Sequence, residues 1–346
     1  MTQETGKNSC RHGGFWGVII LLAVGLTCSA ILNAGLAMGL AARGAGHKFA
    51  SAGETAADEN PEFQEEWSCG SGDTKVVRIA LDGAIMRGPA GGGLFEEGLD
   101  VVQSVLQQIR AAQNDDDVRA IIMEINSPGG AVTPSDEIHR ALRAFRESRA
   151  DRRVLTYIRD LCASGGYYIA VASDHIVSEP TAIVGSIGVI MQMMNWHVLA
   201  EKVGVDATTI KSGPNKDLMN PFRPVDPENV QILQALVDSS YDRFLSLVAQ
   251  GRKMSKDDLR PLADGRVMSP ETAQTSGLID TVGSWEDALS QTARLLEVDR
   301  VRVVRYKDGR TFFDKLFSVR APEHPLARFA DQLPVTHTGL MYLWRP

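Results

Sequence analysis

The stretch Leu161-Cys-Ala-Ser-Gly-Gly-Tyr-Tyr-Ile169 follows a β-type run at residues 154–158 and opens an apolar, helix-compatible run at residues 167–172. Ser164 therefore falls where a strand feeds a turn and then the first turn of a helix. Two glycines after it leave room for another backbone to approach. A serine in that position lies near unpaired backbone N–H groups and the positive end of a helix dipole. Such a place suits a nucleophile and the oxyanion it generates. The plainer reading is a serine N-cap followed by close helix packing.

The pattern on either side of this stretch sets the fold class. Residues 76–81 read as a strand, followed by a glycine-rich loop at 88–93 and helical periodicity at Val101, Val105, Leu106 and Ile109. Residues 118–125 form an apolar strand run ending in Asn126-Ser-Pro-Gly-Gly130, and Ile138, Leu142 and Phe145 mark the next helix. The strand at 154–158 and the Ser164 turn complete a third strand, loop and helix. This repetition predicts an α/β domain with largely buried strands. Further on, residues 174–178 and 182–189 read as extended, 198–203 as a short helix, and 207–210 as a strand. Residues 227–252 carry the longest helical pattern; 285–296 is another helix and 301–306 a basic strand-like run.

The chain has 346 residues, enough for a large core, with 44% hydrophobic and 23% charged residues, as in ordinary globular proteins. A net charge of -7 argues against nucleic-acid binding. Cys10, Cys28, Cys69 and Cys162 lack metal-type spacing and no HExxH run occurs, so neither a metal nor another cofactor is expected.

Residues 13–42 carry no charged side chain. The part from 15 to 42 is long enough for a bilayer core, which needs about 20 apolar residues. Lys7 and Arg11 precede it, which places residues 1–14 in the cytoplasm and the bulk of the chain on the outer or periplasmic side of the inner membrane. Arg43 and Lys48 weaken that asymmetry. A cleaved secretory signal is the rival reading, but the apolar stretch exceeds a usual signal core. Residues 43–72 hold Glu54, Asp58, Glu59, Glu62, Glu65 and Glu66 with little hydrophobic periodicity, and read as an acidic linker.

Three glycine-bearing features accompany one another: Ser127-Pro-Gly-Gly130, Ser164-Gly-Gly166 and Gly185-Ser-Ile-Gly188. A Pro-Gly-Gly turn at a strand end presents N–H groups unobstructed by side chains, as an oxyanion hole requires, although a tight turn is the alternative. Activating Ser164 needs a base. His197 is the one reasonable triad candidate within the domain, and no carboxylate stands out as its orienter. A Ser-Lys pair is the known variant. Lys211 and Lys216 share one Gly-Pro loop, and spacing does not choose between them.

Five ordered segments resemble signal peptide peptidase A, the serine peptidase family also called S49 or protease IV. They are Ile125-Asn-Ser-Pro-Gly-Gly130, Ala163-Ser-Gly-Gly-Tyr-Tyr168, Val184-Gly-Ser-Ile-Gly188, Ile210-Lys-Ser-Gly213 with Lys216-Asp217, and Ala263-Asp-Gly-Arg-Val267. The resemblance spans residues 75–296 and is to the short, single-domain form with an N-terminal anchor. It implies a Clp protease/crotonase-like α/β fold of repeated ββα units, preceded here by one transmembrane helix. It implies Ser164 as nucleophile, Lys216 as general base, Ser186 as the residue orienting the lysine, and Gly130 as an oxyanion donor. The residue after the nucleophile, Gly165, is a second candidate donor.

The resemblance also implies peptide substrates, remnant signal peptides among them, and a ring- or dome-shaped homo-oligomer in which a neighbour can supply the lysine. The expected peptidase domain is 73–296, followed by a C-terminal extension at 297–346. A crotonase-type acyl-CoA enzyme would share the fold without needing Ser164 and Lys216. A non-catalytic membrane scaffold would not be expected to retain Ser164, Ser186 and Lys216 together.

Overall fold

The computed structural model describes residues 59–88, 100–307 and 341–343, together with residues 26, 27 and 29. The chain divides into two units, residues 1–56 and 57–346. Within the first, Leu26, Thr27 and Ser29 are helical and exposed. The rest of the expected span at 15–42 lies outside the described residues, among which no helix is long and apolar enough to cross a membrane. Most of the glycine-rich loop at 88–93 also falls outside them.

In chain order the second unit contains β1 (Gln64–Gly70), β2 (Thr74–Asp82), α1 (Val101–Asn114), β3 (Val118–Ser127), β4 (Gly129–Ala131) and α2 (Val132–Glu147). Next come β5 (Arg153–Ala163), α3 (Gly165–Ala170), β6 (His175–Ser178), β7 (Ile183–Gly185) and α4 (His197–Val203). A 3-10 turn at Pro214–Asp217 precedes α5 (Pro227–Arg252) and α6 (Lys256–Leu259). The remainder is β8 (Val267–Met268), α7 (Pro270–Thr275), β9 (Thr281–Val282), α8 (Trp285–Leu295), β10 (Val301–Lys307) and β11 (Met341–Leu343).

Nine of these strands form a mixed sheet in the order β1-β10-β2-β3-β5-β6-β9, with β7 joined to β5 and β8 to β7. The pairs from β10 through β9 are parallel, while β1 and β8 run antiparallel to their neighbours. Ala120, Ile121, Ile122 and Met123 of β3 are all fully buried, because helices cover both faces of a parallel sheet. On one face Val105 and Ile109 of α1 and Leu142 and Phe145 of α2 pack with Phe244 of α5. On the other, Ala288 and Ala293 of α8 meet Leu155 and Tyr157. Each aliphatic side chain buried this way contributes about 2 kcal/mol relative to exposure.

The expected repetition of strand, short strand and helix is visible. β3 leads to β4 and α2. β2 leads to Ile85, which bridges in parallel to Gly130, and then to α1. β5 makes the same change of partner within one strand. It pairs with β6 over residues 155–158, exposes Arg159 and Asp160, and then pairs with β7 over residues 161–163. That second half carries the chain out of the main sheet and delivers Ser164.

Four expectations change. The stretch expected as linker through residue 72 contains β1, an edge strand held on β10 by charge rather than apolar alternation. Glu66 pairs with Arg305 across the strands at 2.8 Å, and Glu65 binds the buried Lys75. The basic run expected to open a C-terminal extension is β10, which lies inside the sheet between β1 and β2. Residues 207–210 form no strand, and Ile210 is 98% exposed. The extended run expected at 182–189 is shorter, since Gly185 (φ 113°) and Ser186 (φ 52°) turn the chain after β7.

Candidate active site

Ser164 sits between β5 and α3 with φ 52° and ψ -112°. A non-glycine residue in so sparsely populated a region costs about 1–3 kcal/mol, supplied by the surrounding packing. Its N–H donates to the carbonyl of Gly185 at 2.8 Å, and its own carbonyl accepts from Tyr168 at 2.9 Å. Its side chain makes no helix-capping hydrogen bond, so the N-cap reading does not account for it.

The glycines after Ser164 are sterically required. A Cβ on Gly165 would stand 2.6 Å from Ser135 Oγ and 3.1 Å from the Gly130 nitrogen. One on Gly166 would stand 3.1 Å from the Ser127 carbonyl oxygen. The start of α3 is thus pressed onto the Ser127–Gly130 turn. Gly129 reaches φ 94° there, and the Gly129 N–H donates to Ser127 Oγ at 3.1 Å. The Gly129 carbonyl and Ala131 N–H both bond to Ile85. Because successive peptide groups of a strand alternate, the N–H of Gly130 faces the opposite side, where β11 pairs with β4 and Tyr342 stands opposite Gly130.

Ser186 joins this cluster through the Ser164–Gly185 bond. It is buried, has φ 52°, and its N–H donates to the Arg266 carbonyl at 2.7 Å. That bond gives the Ala263-Asp-Gly-Arg-Val267 motif a physical role. Ser164 and Ser186 share an open cleft of about 570 Å³, floored by apolar groups such as Ile187, Val189 and Ile190.

Lys216 lies elsewhere. It is exposed on the 3-10 turn and is not among the residues lining this cleft. Lys211 donates to the Pro214 carbonyl at 2.7 Å and is ion-paired with Asp217, which Arg223 also meets at 3.2 Å. Hydrogen bonding from Lys211 holds the Asp217 carboxyl below its usual range. Among the described residues Lys216 has no ion-pair partner. No histidine lines the cleft either. His197 Nδ1 is 3.2 Å from the Phe222 carbonyl, and His139 lies buried beneath α3. Burial pushes the Cys162 thiol far up, which leaves it a packing residue.

Sequence reasoning passed over the groups that brace α3. Ser135 Oγ, the closest neighbour of Gly165, donates to the Ala131 carbonyl at 2.9 Å. The Tyr168 hydroxyl donates to Asp136 at 2.6 Å, and Arg243 of α5 donates to the same carboxylate at 3.0 Å. Burial opposes ionisation of Asp136, but the bonds from Tyr168, Arg243 and Arg140 outweigh it and hold its carboxyl below the usual range. Tyr167 reaches the Leu278 carbonyl at 2.6 Å. The double tyrosine was visible in sequence; its partners lie more than thirty residues away and were not.

The profile of Peptidase family S49 matches residues 146–299, from the end of α2 to just beyond α8, and that of Clp protease matches residues 97–182. The putative signal peptide peptidase SppA of Enterococcus faecium is 35% identical over 244 residues, covering 70% of this chain and 70% of that protein. The chain belongs to peptidase family S49. A putative protease of Synechocystis sp. is 35% identical over 266 residues, 76% of this chain and 89% of the relative. Protease 4 of Salmonella typhi is 33% identical over 251 residues, 71% of this chain and 39% of that longer protein. The S49 chain is a serine peptidase with a Clp protease-like α/β fold.

Proposed function

We propose that Ser164 and Lys216 form the catalytic dyad of a membrane-anchored serine endopeptidase that hydrolyses apolar peptides, remnant signal peptides among them. The observation that carries this reading is the strained Ser164, free of capping duty, set against the glycines of two turns in a cleft without histidine. Neutral lysine takes the Ser164 proton as its oxygen attacks a peptide carbonyl. The Gly130 N–H, with that of Gly165 at the start of α3, stabilises the oxyanion. The ammonium then protonates the leaving amine, and water hydrolyses the acyl-enzyme. Ser186 orients the lysine.

Because Lys216 is outside the cleft of its own chain, the lysine comes from a neighbouring copy in a homo-oligomer. Exposed apolar groups on and beside α4, including Val198, Leu199, Val203 and Phe222, supply surface for such packing. The uncharged run at 13–42 anchors the chain, with the peptidase unit outside. The test is cleavage of apolar fluorogenic peptides together with labelling by an active-site serine probe, run beside Ser164→Ala and Lys216→Ala. Loss of cleavage in both variants is expected. Full activity in Lys216→Ala overturns the lysine assignment, and an unlabelled, inactive wild-type oligomer overturns the peptidase reading.

A further inference from the structure

Lys216 stands in a stretch that no apolar core holds. Between α4 and α5, none of residues 204–226 is buried, and their one regular element is the 3-10 turn Pro214–Asp217. Polar contacts order the stretch instead. The Trp196 N–H donates to the Pro221 carbonyl and the Asn195 side-chain amide to the Arg223 carbonyl, each at 2.7 Å, which ties the end of the loop to the start of α4. The Asn220 side-chain amide donates to Thr209 Oγ1 at 3.1 Å.

Two cations converge on Asp217, the residue after Lys216. Lys211 Nζ donates to its Oδ1, and Arg223 stands 3.2 Å from its Oδ2. Lys211 also donates to the Pro214 carbonyl at 2.7 Å, so one ammonium holds the first and the last residue of the turn. The Asp217 side chain is 12% exposed, whereas Lys216 is exposed. With three residues per 3-10 turn, consecutive side chains point about 120° apart. Pinning Asp217 inward therefore sets the outward direction of Lys216. The same grip keeps this carboxylate from pairing with Lys216, whose ammonium form could not accept the Ser164 proton.

A base must stand within hydrogen-bond reach of the proton it takes, and a displacement of about 1 Å costs on the order of 100-fold in rate. We propose that Asp217 is the positioning residue for Lys216: Lys211 and Arg223 grip its carboxylate and so lock the turn that presents the base. This rests on the reading of Lys216 as the general base given above. Two cations on one carboxylate make the grip redundant, so either one alone keeps the turn in place.

The test uses the full chain and two readouts. One is kcat and KM for an apolar fluorogenic peptide. The other is hydrogen–deuterium exchange of residues 211–223 by mass spectrometry, with light scattering and the melting temperature confirming assembly and fold. Asp217→Ala is expected to lower kcat on the order of 100-fold with KM within about two-fold, because no residue of the turn lines the Ser164 cleft. Exchange across the turn should rise about ten-fold or more, at the Lys216 N–H, which donates to the Gly213 carbonyl at 3.3 Å, and the Asn220 N–H, which donates to the Asp217 carbonyl at 3.0 Å. Lys211→Ala and Arg223→Ala should each keep at least about half of kcat, and together should fall as far as Asp217→Ala, a coupling that independent sites do not show. In the Lys211→Ala background, Arg223→Lys should keep the activity that Arg223→Ala loses. If Asp217→Ala does not assemble, those two chains give the same reading with Asp217 intact. Unchanged kcat or unchanged exchange on loss of the grip, or a loss carried by KM, overturns the proposal. Full activity in Lys216→Ala while the exchange differences stand would sink the lysine reading and leave the clamp on the turn.

Discussion

The backbone N–H of Ser164 donates to the carbonyl of Gly185 at 2.8 Å, so the residue that follows β5 and the residue that ends β7 are tied together. Ser164 and Ser186, one on each side of that bond, both have φ 52°. Neither conformation follows from local preference, since a non-glycine residue reaches positive φ only when its surroundings enforce it. The sheet holds both serines before any substrate arrives, which is how a catalytic group avoids reorganisation during reaction.

Replacing Ser164 separates chemistry from strain. Ser164→Ala and Ser164→Gly should both lose peptide cleavage by on the order of 10³-fold or more. Their stabilities should differ, because alanine keeps the strained φ and glycine does not. Ser164→Gly is expected to be more stable than Ser164→Ala by about 1 kcal/mol in urea unfolding. Equal midpoints and slopes would mean that the position is unstrained.

Complementation tests where the lysine comes from. Ser164→Ala and Lys216→Ala chains, each expected to be inactive alone, should regain activity when unfolded together and reassembled, because the proposed homo-oligomer would then set an intact Ser164 beside a neighbour's Lys216. Lys211→Ala should retain most of its activity, since Lys211 is committed to Asp217 and the Pro214 carbonyl. A mixture as inactive as its components would place the base within the same chain.

Much of this arrangement was legible in the sequence because it is local. The apolar run of β3 and the 26-residue pattern of α5 announce themselves by period, and Ser164 by its place between strand and helix. What escaped depends on partners distant in the chain. β1 lacks apolar alternation and is specified by Arg305 and Lys75 across the sheet, so it reads as linker. Residues 207–210 have β-type composition but form no strand, and Ile210 stays exposed. The small sheet that joins β11 (Met341–Leu343) to β4 and bridges Met341 to Ile190 needs three distant segments at once, and no window of sequence contains all three.

The contact between Gly165 and the Ser127–Gly130 turn predicts a split between stability and rate. Gly165→Ala brings a methyl to 2.6 Å from Ser135 Oγ and 3.1 Å from the Gly130 nitrogen. Overpacking of this kind costs about 1–3 kcal/mol. Adding Ser135→Ala removes the closer clash and should restore part of the stability. The methyl still crowds Gly130, so kcat should stay low. Recovery of kcat along with stability in the double variant would show that the Gly130 N–H has no part in the rate.

Acid should loosen the base of α3 through His139. Its Nδ1–H donates to the Tyr168 carbonyl at 2.9 Å, and burial pushes the imidazole down to about 4, against the raising effects of that carbonyl and of Asp136. The folded protein keeps His139 neutral while the unfolded chain binds a proton below its ordinary value near 6.5. The unfolded state therefore binds more protons between pH 6.5 and about 4, and stability falls as pH drops through that window. The contribution of this one group is about 3 kcal/mol across the window. His139→Gln should flatten the urea-unfolding free energy against pH there, while leaving the further loss below pH 4 to carboxylates such as Asp136 and Asp280, whose folded values are lowered. An unchanged slope would mean that His139 titrates alike in both states.

The strand β1 predicts where a soluble fragment must begin. A chain starting at Ser71 lacks the Glu66–Arg305 and Glu65–Lys75 pairs and the stacking of Phe63 on Tyr306 at 5.3 Å. It also exposes the backbone edge of β10, a template for pairing between chains. A chain starting at Glu59 keeps all of these. The shorter fragment is expected to melt several degrees lower and to form larger species in light scattering at equal concentration, a loss of about 2 kcal/mol. Restoring residues 59–70 should reverse both effects while leaving kcat unchanged, because β1 lies at the sheet edge remote in strand order from β5. Identical melting and scattering of the two fragments would show that β1 adds nothing to the sheet.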